Sequence, residues 1–169
     1  MKVVYDFYSN LYTRDPECSD SQKYFLDKID KKVSDEERMA LDKDFTPDEV
    51  RKALGKLQKK KSPGSDGLTT EFYVKFWSDI EDLYFDCLKE CEATGELTPS
   101  QKKGLIRVSY KKDGRMYIKH YRPITLLNVD VKILTRTLAT RMGPVMLSII
   151  HRNQTCLPGR NISRNTQSS

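Results

Sequence analysis

Gly104-Leu105-Ile106-Arg107-Val108-Ser109-Tyr110, followed by Asp113-Gly114 and then by Tyr121-Arg122-Pro123-Ile124-Thr125-Leu126-Leu127, is the stretch on which the fold turns. Both runs are rich in β-branched and aromatic residues, and Asp-Gly between them supplies turn chemistry, so they read as two antiparallel strands of one hairpin. Asn128 comes directly after the second run and is placed to cap a helix with Val131, Leu134, Leu138 and Met142 as its apolar stripe. Gly143-Pro144 is expected to interrupt that helix before a second apolar stretch over 145–150.

Upstream of the hairpin the pattern is helical. Val4, Phe7, Tyr8, Leu11 and Tyr12 recur at helical spacing. Ser34 with Glu37 forms a capping box ahead of Met39 and Leu41. Thr46-Pro47-Asp48-Glu49 is a stronger one, with Pro at the first helical position. Val50, Leu54 and Leu57 then line one face, while Arg51, Lys52, Lys56, Lys59, Lys60 and Lys61 fill the rest, and Pro63-Gly64 forces a stop by Ser62. Thr69-Thr70-Glu71-Phe72-Tyr73 opens a further helical region. Ile80, Leu83, Tyr84, Cys87, Leu88 and Cys91 repeat along it until Gly95 ends it. The expected class is α+β: mostly helical with one antiparallel β-hairpin. A helical lead-in over residues 1–45 and a main unit over 46–169 are the expected divisions.

Charge is unevenly distributed. Residues 1–49 hold 8 Lys/Arg against 13 Asp/Glu, whereas residues 50–169 hold 22 against 11, a net of +11 within an overall +6. No acid follows Asp130, while six basic side chains do. Segregated cations favour a polyanionic partner, because clustered Lys/Arg release counterions when they neutralise phosphates. No run approaches the about 18 apolar residues of a membrane span, and the start of the chain is not a signal peptide. Cys18, Cys87, Cys91 and Cys156 lack the paired spacing of a disulfide framework, and no His or further Cys completes a zinc site around Cys87 and Cys91. These features predict an intracellular protein, cytoplasmic or nuclear, with no membrane partner.

Catalytic signatures are missing. The chain has no phosphate-cradling loop of the G-x-x-x-x-G-K-S/T kind, no zinc motif and no nucleophile elbow. His120 and His151 are isolated and read as surface or packing residues. Asp79, Glu81 and Asp82 beside Lys89 read as the solvated face of a helix, and Tyr73, Phe76 and Trp77 as packing rather than base-stacking groups.

A series of motifs does stand out. Lys61-Ser62-Pro63-Gly64-Ser65-Asp66-Gly67-Leu68, then Glu71-Phe72-Tyr73-Val74-Lys75-Phe76-Trp77, the two strands, Val131-Lys132-Ile133-Leu134-Thr135-Arg136 and the stretch Gln154-Thr155-Cys156 with Pro158-Gly159-Arg160-Asn161-Ile162 follow one another in order. Together they resemble the reverse transcriptases of LINE-type non-LTR retrotransposons, and Phe7-Tyr8-Ser9-Asn10-Leu11-Tyr12 is similar to that family's lead-in. Ser65 departs from the family, which often has a second Pro there. One residue separates Cys156 from Pro158 where the family has two.

The resemblance implies the fingers lobe of a right-hand polymerase with the palm absent. The family's catalytic aspartates lie on palm strands beyond the matched motifs, so this chain is expected to be inactive as a polymerase by itself. No catalytic residue, metal site or cofactor is expected within it, and Mg²⁺ only in a complete polymerase. Lys111, Lys112 and Arg122 would contact the phosphates of the incoming nucleotide, Arg122 with its planar fork. Lys59, Lys60, Lys61, Pro63, Gly64, Asp66, Gly67 and Arg160 would meet the template, small residues letting the backbone come close. The expected partners are RNA and single-stranded or hybrid nucleic acid, bound weakly and without sequence preference. Self-association through the face a palm would cover, along 131–150, is a further expectation. Two other readings stay open: a non-catalytic nucleic-acid-binding or interaction protein, and an inactive relic of a retrotransposon.

Overall fold

The computed structural model describes residues 2–13 and 19–150. Their elements run α1 (Lys2–Leu11), α2 (Ser19–Leu26), α3 (Asp35–Leu41), α4 (Pro47–Gly55), α5 (Thr70–Lys75), α6 (Trp77–Thr94), β1 (Gly104–Tyr110), β2 (Tyr121–Leu127) and α7 (Val129–Ile149), with one 3₁₀ turn at Ile118–His120. This is the α+β class expected, with a two-stranded antiparallel sheet.

Local chemistry accounts for most of the boundaries. Ser34 accepts from the Glu37 N–H, and Thr46 from the Glu49 N–H, while each glutamate reaches back to its cap's own N–H, so both capping boxes are complete. Thr69 caps α5 by accepting from the Phe72 N–H. Gly95 ends α6 in the left-handed conformation at φ 68°, which glycine enters without a Cβ clash. The strands begin and end where the sequence places them, in the register Gly104 opposite Leu127 through Tyr110 opposite Tyr121.

The core lies where α4, α5, α6 and α7 converge. Val50, Leu54, Tyr73, Trp77, Tyr84, Leu88, Val129 and Ile133 are buried together, with Phe45, Leu57, Leu68 and Phe72 packed around them. Trp77 and Tyr84 are therefore packing groups, with ring centroids 5.4 Å apart. The Tyr84 hydroxyl donates to the Asp130 carbonyl at 3.0 Å, tying α6 to the start of α7. Burial pushes the Tyr84 phenol well above its usual range, with the nearby Asp130 charge adding to the effect.

Four details differ from the sequence reading. α4 ends at Gly55, so Lys59, Lys60 and Lys61 leave the helix; Lys60 adopts a left-handed φ of 57° and its N–H is held by the Glu71 carboxylate. The region after Thr69 is two helices, because the chain turns at Phe76. α7 runs unbroken through Pro144. Proline removes the bond to the Thr140 carbonyl, but Thr140 and Pro144 both face solvent, where water can satisfy that carbonyl, and buried Val145 keeps the next turn docked. Finally, Glu81 is not a solvated acid. Only 14% of its side chain is exposed and it pairs with Arg51 of α4 at 2.7 Å, while Lys89 pairs with Asp86. Toward the end of α7, Leu138, Met142 and Leu147 are exposed.

Candidate nucleic-acid interface

The segment Ser62-Pro63-Gly64-Ser65-Asp66-Gly67 is a loop seated on the junction between β2 and α7. Gly64 is buried there. A Cβ on it would lie 2.1 Å from Asn128 Oδ1, 2.4 Å from the Asn128 backbone nitrogen and 2.6 Å from the Leu127 carbonyl carbon, so only glycine fits. Asn128, 1% exposed, occupies the N-cap position of α7 without capping it. Its Oδ1 accepts from the Ser65 hydroxyl at 3.3 Å and the Asp66 N–H at 3.4 Å, and its Nδ2 donates to the Ser100 carbonyl and hydroxyl. The Asp130 carboxylate takes up the Val131 N–H instead.

Asp66 folds its carboxylate onto the Leu68 N–H at 3.0 Å, an Asx turn that carries Gly67 into φ 74°. Lys132 of α7 donates to the Ser62 carbonyl at 3.4 Å, closing the other end of the loop. Lys59, Lys60 and Lys61 stand exposed just before it. The acid beside them, Glu71, accepts the Lys60 N–H, and that bond holds its carboxyl below the usual range.

The hairpin places the second group of cations. Its far end is closed by the Lys111 N–H donating to the His120 carbonyl, by the Tyr121 hydroxyl donating to the Arg115 carbonyl, and by a His120 Nδ1 contact of 2.8 Å with the Gly114 carbonyl. His120 thus serves the turn. Lys111, Lys112 and Arg122 are exposed and none has a carboxylate partner among the described residues. The register sets Arg122 opposite Ser109 and Arg107 opposite Ile124, so the two arginines share one face of the sheet as diagonal neighbours, about 7 Å apart at their Cβ atoms. Across the other face lies α1. The Tyr8 hydroxyl donates to the Tyr121 carbonyl, and a cavity of about 590 Å³ opens between Tyr5, Tyr8 and Tyr12 on one side and Ile106, Val108 and Pro123 on the other.

The predicted site residues thus fall in two groups at opposite ends of β2. The loop Pro63, Gly64, Asp66 and Gly67 is docked at Leu127 and Asn128, with Lys59, Lys60 and Lys61 leading into it. Lys111, Lys112 and Arg122 lie at the other end, with Leu127 five residue steps beyond Arg122, or about 17 Å of extended chain. Arg160 lies outside the described residues, as does His151. Sequence reasoning missed Arg107 and the clamping roles of Asn128 and Lys132. Arg107 was findable from strand alternation. The other two depend on a contact over sixty residues of chain, for which the sequence carries no local signal.

A basic α+β unit with a glycine-tight loop at the root of a cationic hairpin is the class that this geometry defines. Over 160 residues the chain is 34% identical to the Transposon TX1 uncharacterized 149 kDa protein of Xenopus laevis, a match covering 94% of this chain and 12% of that protein. This similarity supports a transposon origin; the chain spans about an eighth of the length of the curated relative it matches. No protein-family model matches the chain. Among the described residues no helix is long and apolar enough to cross a membrane.

Proposed function

We propose that the chain is part of a retrotransposon reverse transcriptase, contributing template and incoming-nucleotide contacts of the fingers lobe. The observation that carries this reading is the meeting of Gly64 with Asn128. The Lys-Ser-Pro-Gly-Ser-Asp-Gly motif and the strand Tyr121–Leu127 each resemble a segment of such enzymes, and the loop forms one hydrogen-bonded unit with Asn128, the residue directly after that strand. The loop would offer backbone and small side chains to a template strand. Lys111, Lys112 and Arg122 would hold triphosphate oxygens, the guanidinium through a bidentate pair. Asp66, the carboxylate that the loop group does contain, is folded onto the Leu68 N–H, whereas the metal ions of nucleotidyl transfer need several convergent carboxylates.

Binding to labelled RNA and single-stranded DNA, followed by fluorescence anisotropy over a salt series, tests the reading. Affinity is expected to be weak, indifferent to sequence, and lower at higher salt by about 0.7 logarithmic units of slope per phosphate contact. Changing Lys59, Lys60 and Lys61 together to Ala should weaken binding to every sequence alike and reduce that slope. Arg122→Ala should leave it nearly unchanged while weakening retention of a labelled nucleoside triphosphate. Affinity that ignores salt, or equal losses of RNA binding from both changes, would contradict the assignment.

A further inference from the structure

α4 and α7 pack antiparallel through Val50, Ala53 and Leu54 on one side and Val129, Ile133 and Thr137 on the other, with Arg141 reaching Glu49 at one end and Lys132 reaching Ser62 at the other. The two flanks of α4 differ. Arg51 points to α6 and is engaged by Glu81. Lys52 and Lys56, one turn apart, line a small cleft with Thr137 and Thr140 of α7. On α7, Thr140 is the third member of a stripe that begins with Lys132 and Arg136, since residues four apart share a helix face. Lys132 and Arg136 therefore stand on the flank that carries Lys52 and Lys56, and Lys132 also touches the loop that follows Lys59, Lys60 and Lys61.

None of these seven cations has a carboxylate partner within salt-bridge reach among the described residues. Of the acids close to them, Glu49 is neutralised by Arg141, whereas Glu71 and Asp130 each accept a backbone N–H and keep a charge that offsets the row only in part. A flank with this much uncompensated positive charge concentrates anions, and a row of lysines and arginine without a fixed acceptor geometry suits successive phosphates better than one small anion.

We propose that Lys52, Lys56, Lys132 and Arg136 extend the loop lysines into a continuous track that binds the phosphodiester backbone of a single strand. It is separate from the hairpin cations. The inference rests on the nucleic-acid-binding reading above and adds four residues to it that only the α4–α7 packing brings together.

The test uses the 169-residue protein and fluorescein-labelled oligouridylate, comparing Lys52→Ala/Lys56→Ala and Lys132→Gln/Arg136→Gln with the control Lys75→Ala/Lys89→Ala on α5 and α6, which changes net charge equally. Each track variant should lower affinity about tenfold at low salt and reduce the salt slope by about 1.4, two single-strand contacts' worth, while the control moves both far less. Lys52→Arg/Lys56→Arg should restore the slope, a result that fold damage could not mimic. Losses from the control equal to those of the track variants would reduce the effect to net charge and overturn the proposal. Track variants without effect, beside a weakened Lys59/Lys60/Lys61 triple, would overturn the track and leave the functional reading standing. No salt-dependent binding by the unchanged protein would overturn both.

Discussion

Gly64→Ala is expected to destabilise the fold by about 3 kcal/mol, at the upper end of what inserting a methyl into a packed site usually costs. The added carbon would meet backbone atoms of Leu127 and Asn128, which cannot swing aside as a side-chain tip could. Either the loop lifts off α7 or the β2–α7 junction moves, and both break the bonds from Ser65 and Asp66 to the buried Asn128 amide. Alanine restricts the unfolded chain more than glycine does, which gives back only about 0.7 kcal/mol. Gly67 makes an instructive comparison. Open space surrounds it, so Gly67→Ala carries only the cost of its left-handed φ of 74°, about 1 kcal/mol. Urea denaturation of the two variants side by side decides the matter. A Gly64 variant no less stable than the Gly67 variant would mean that the loop is not seated on Asn128.

Arg141→Met should cost about 3 kcal/mol at neutral pH and should also flatten the acid limb of the stability profile. The guanidinium is 10% exposed, lies 4.6 Å from the centre of the Phe45 ring, meets the Glu49 carboxylate at 2.8 Å through both Nε and Nη2, and donates to the carbonyls of Leu41, Lys43 and Asp44. Removing one member of a buried pair costs roughly 3–5 kcal/mol; the lower figure applies because the Glu49 side chain is 35% exposed and partly screened. The hydrogen bond from Arg141, foremost, and the capping bonds of Thr46 hold the Glu49 carboxyl at about 2, below its ordinary 4.5. A carboxyl depressed in the folded state stabilises fully above its unfolded value, and that stabilisation is lost as pH falls from about 4.5 through about 2. The measurement is the difference in urea midpoint between wild type and variant across that window. It should shrink as the solution is acidified, and a constant difference would remove Glu49 from the account.

What was legible in the sequence was legible for local reasons. The two capping boxes, the left-handed stop at Gly95 and both strands follow from residues within a few positions of one another, and each has the predicted bounds. The failures share a cause. Asn128 has the chemistry of a helix cap, yet groups of Ser65, Asp66 and Ser100 compete for its buried amide and win it. Glu81 looks like one of three solvated acids until α4 brings Arg51 against it. Pro144 looks like a break until the burial of Val145 is known. In each case tertiary packing outweighs a local preference, worth about 1 kcal/mol for the cap and about 3 kcal/mol for the proline. The candidate site divides in the same way: its loop and cations could be named from motif and charge, but their placement at opposite ends of one strand could not.

The rung that sets Pro123 opposite Val108 makes the two borders of the sheet unequal. Proline has no N–H, so this rung is one of the non-hydrogen-bonded pairs of the ladder, and alternation then turns the backbone groups of Ile106, Val108 and Tyr110 outward. Solvent hydrogen exchange should follow this alternation, fast at Ile106 and Val108 and slow at Arg107 and Ser109. It also gives the hairpin a direction of growth. An incoming strand would find an unbroken row of donors and acceptors along β1 and a gap at the centre of β2, so accretion of further strands, wanted or unwanted, is steered to the β1 side.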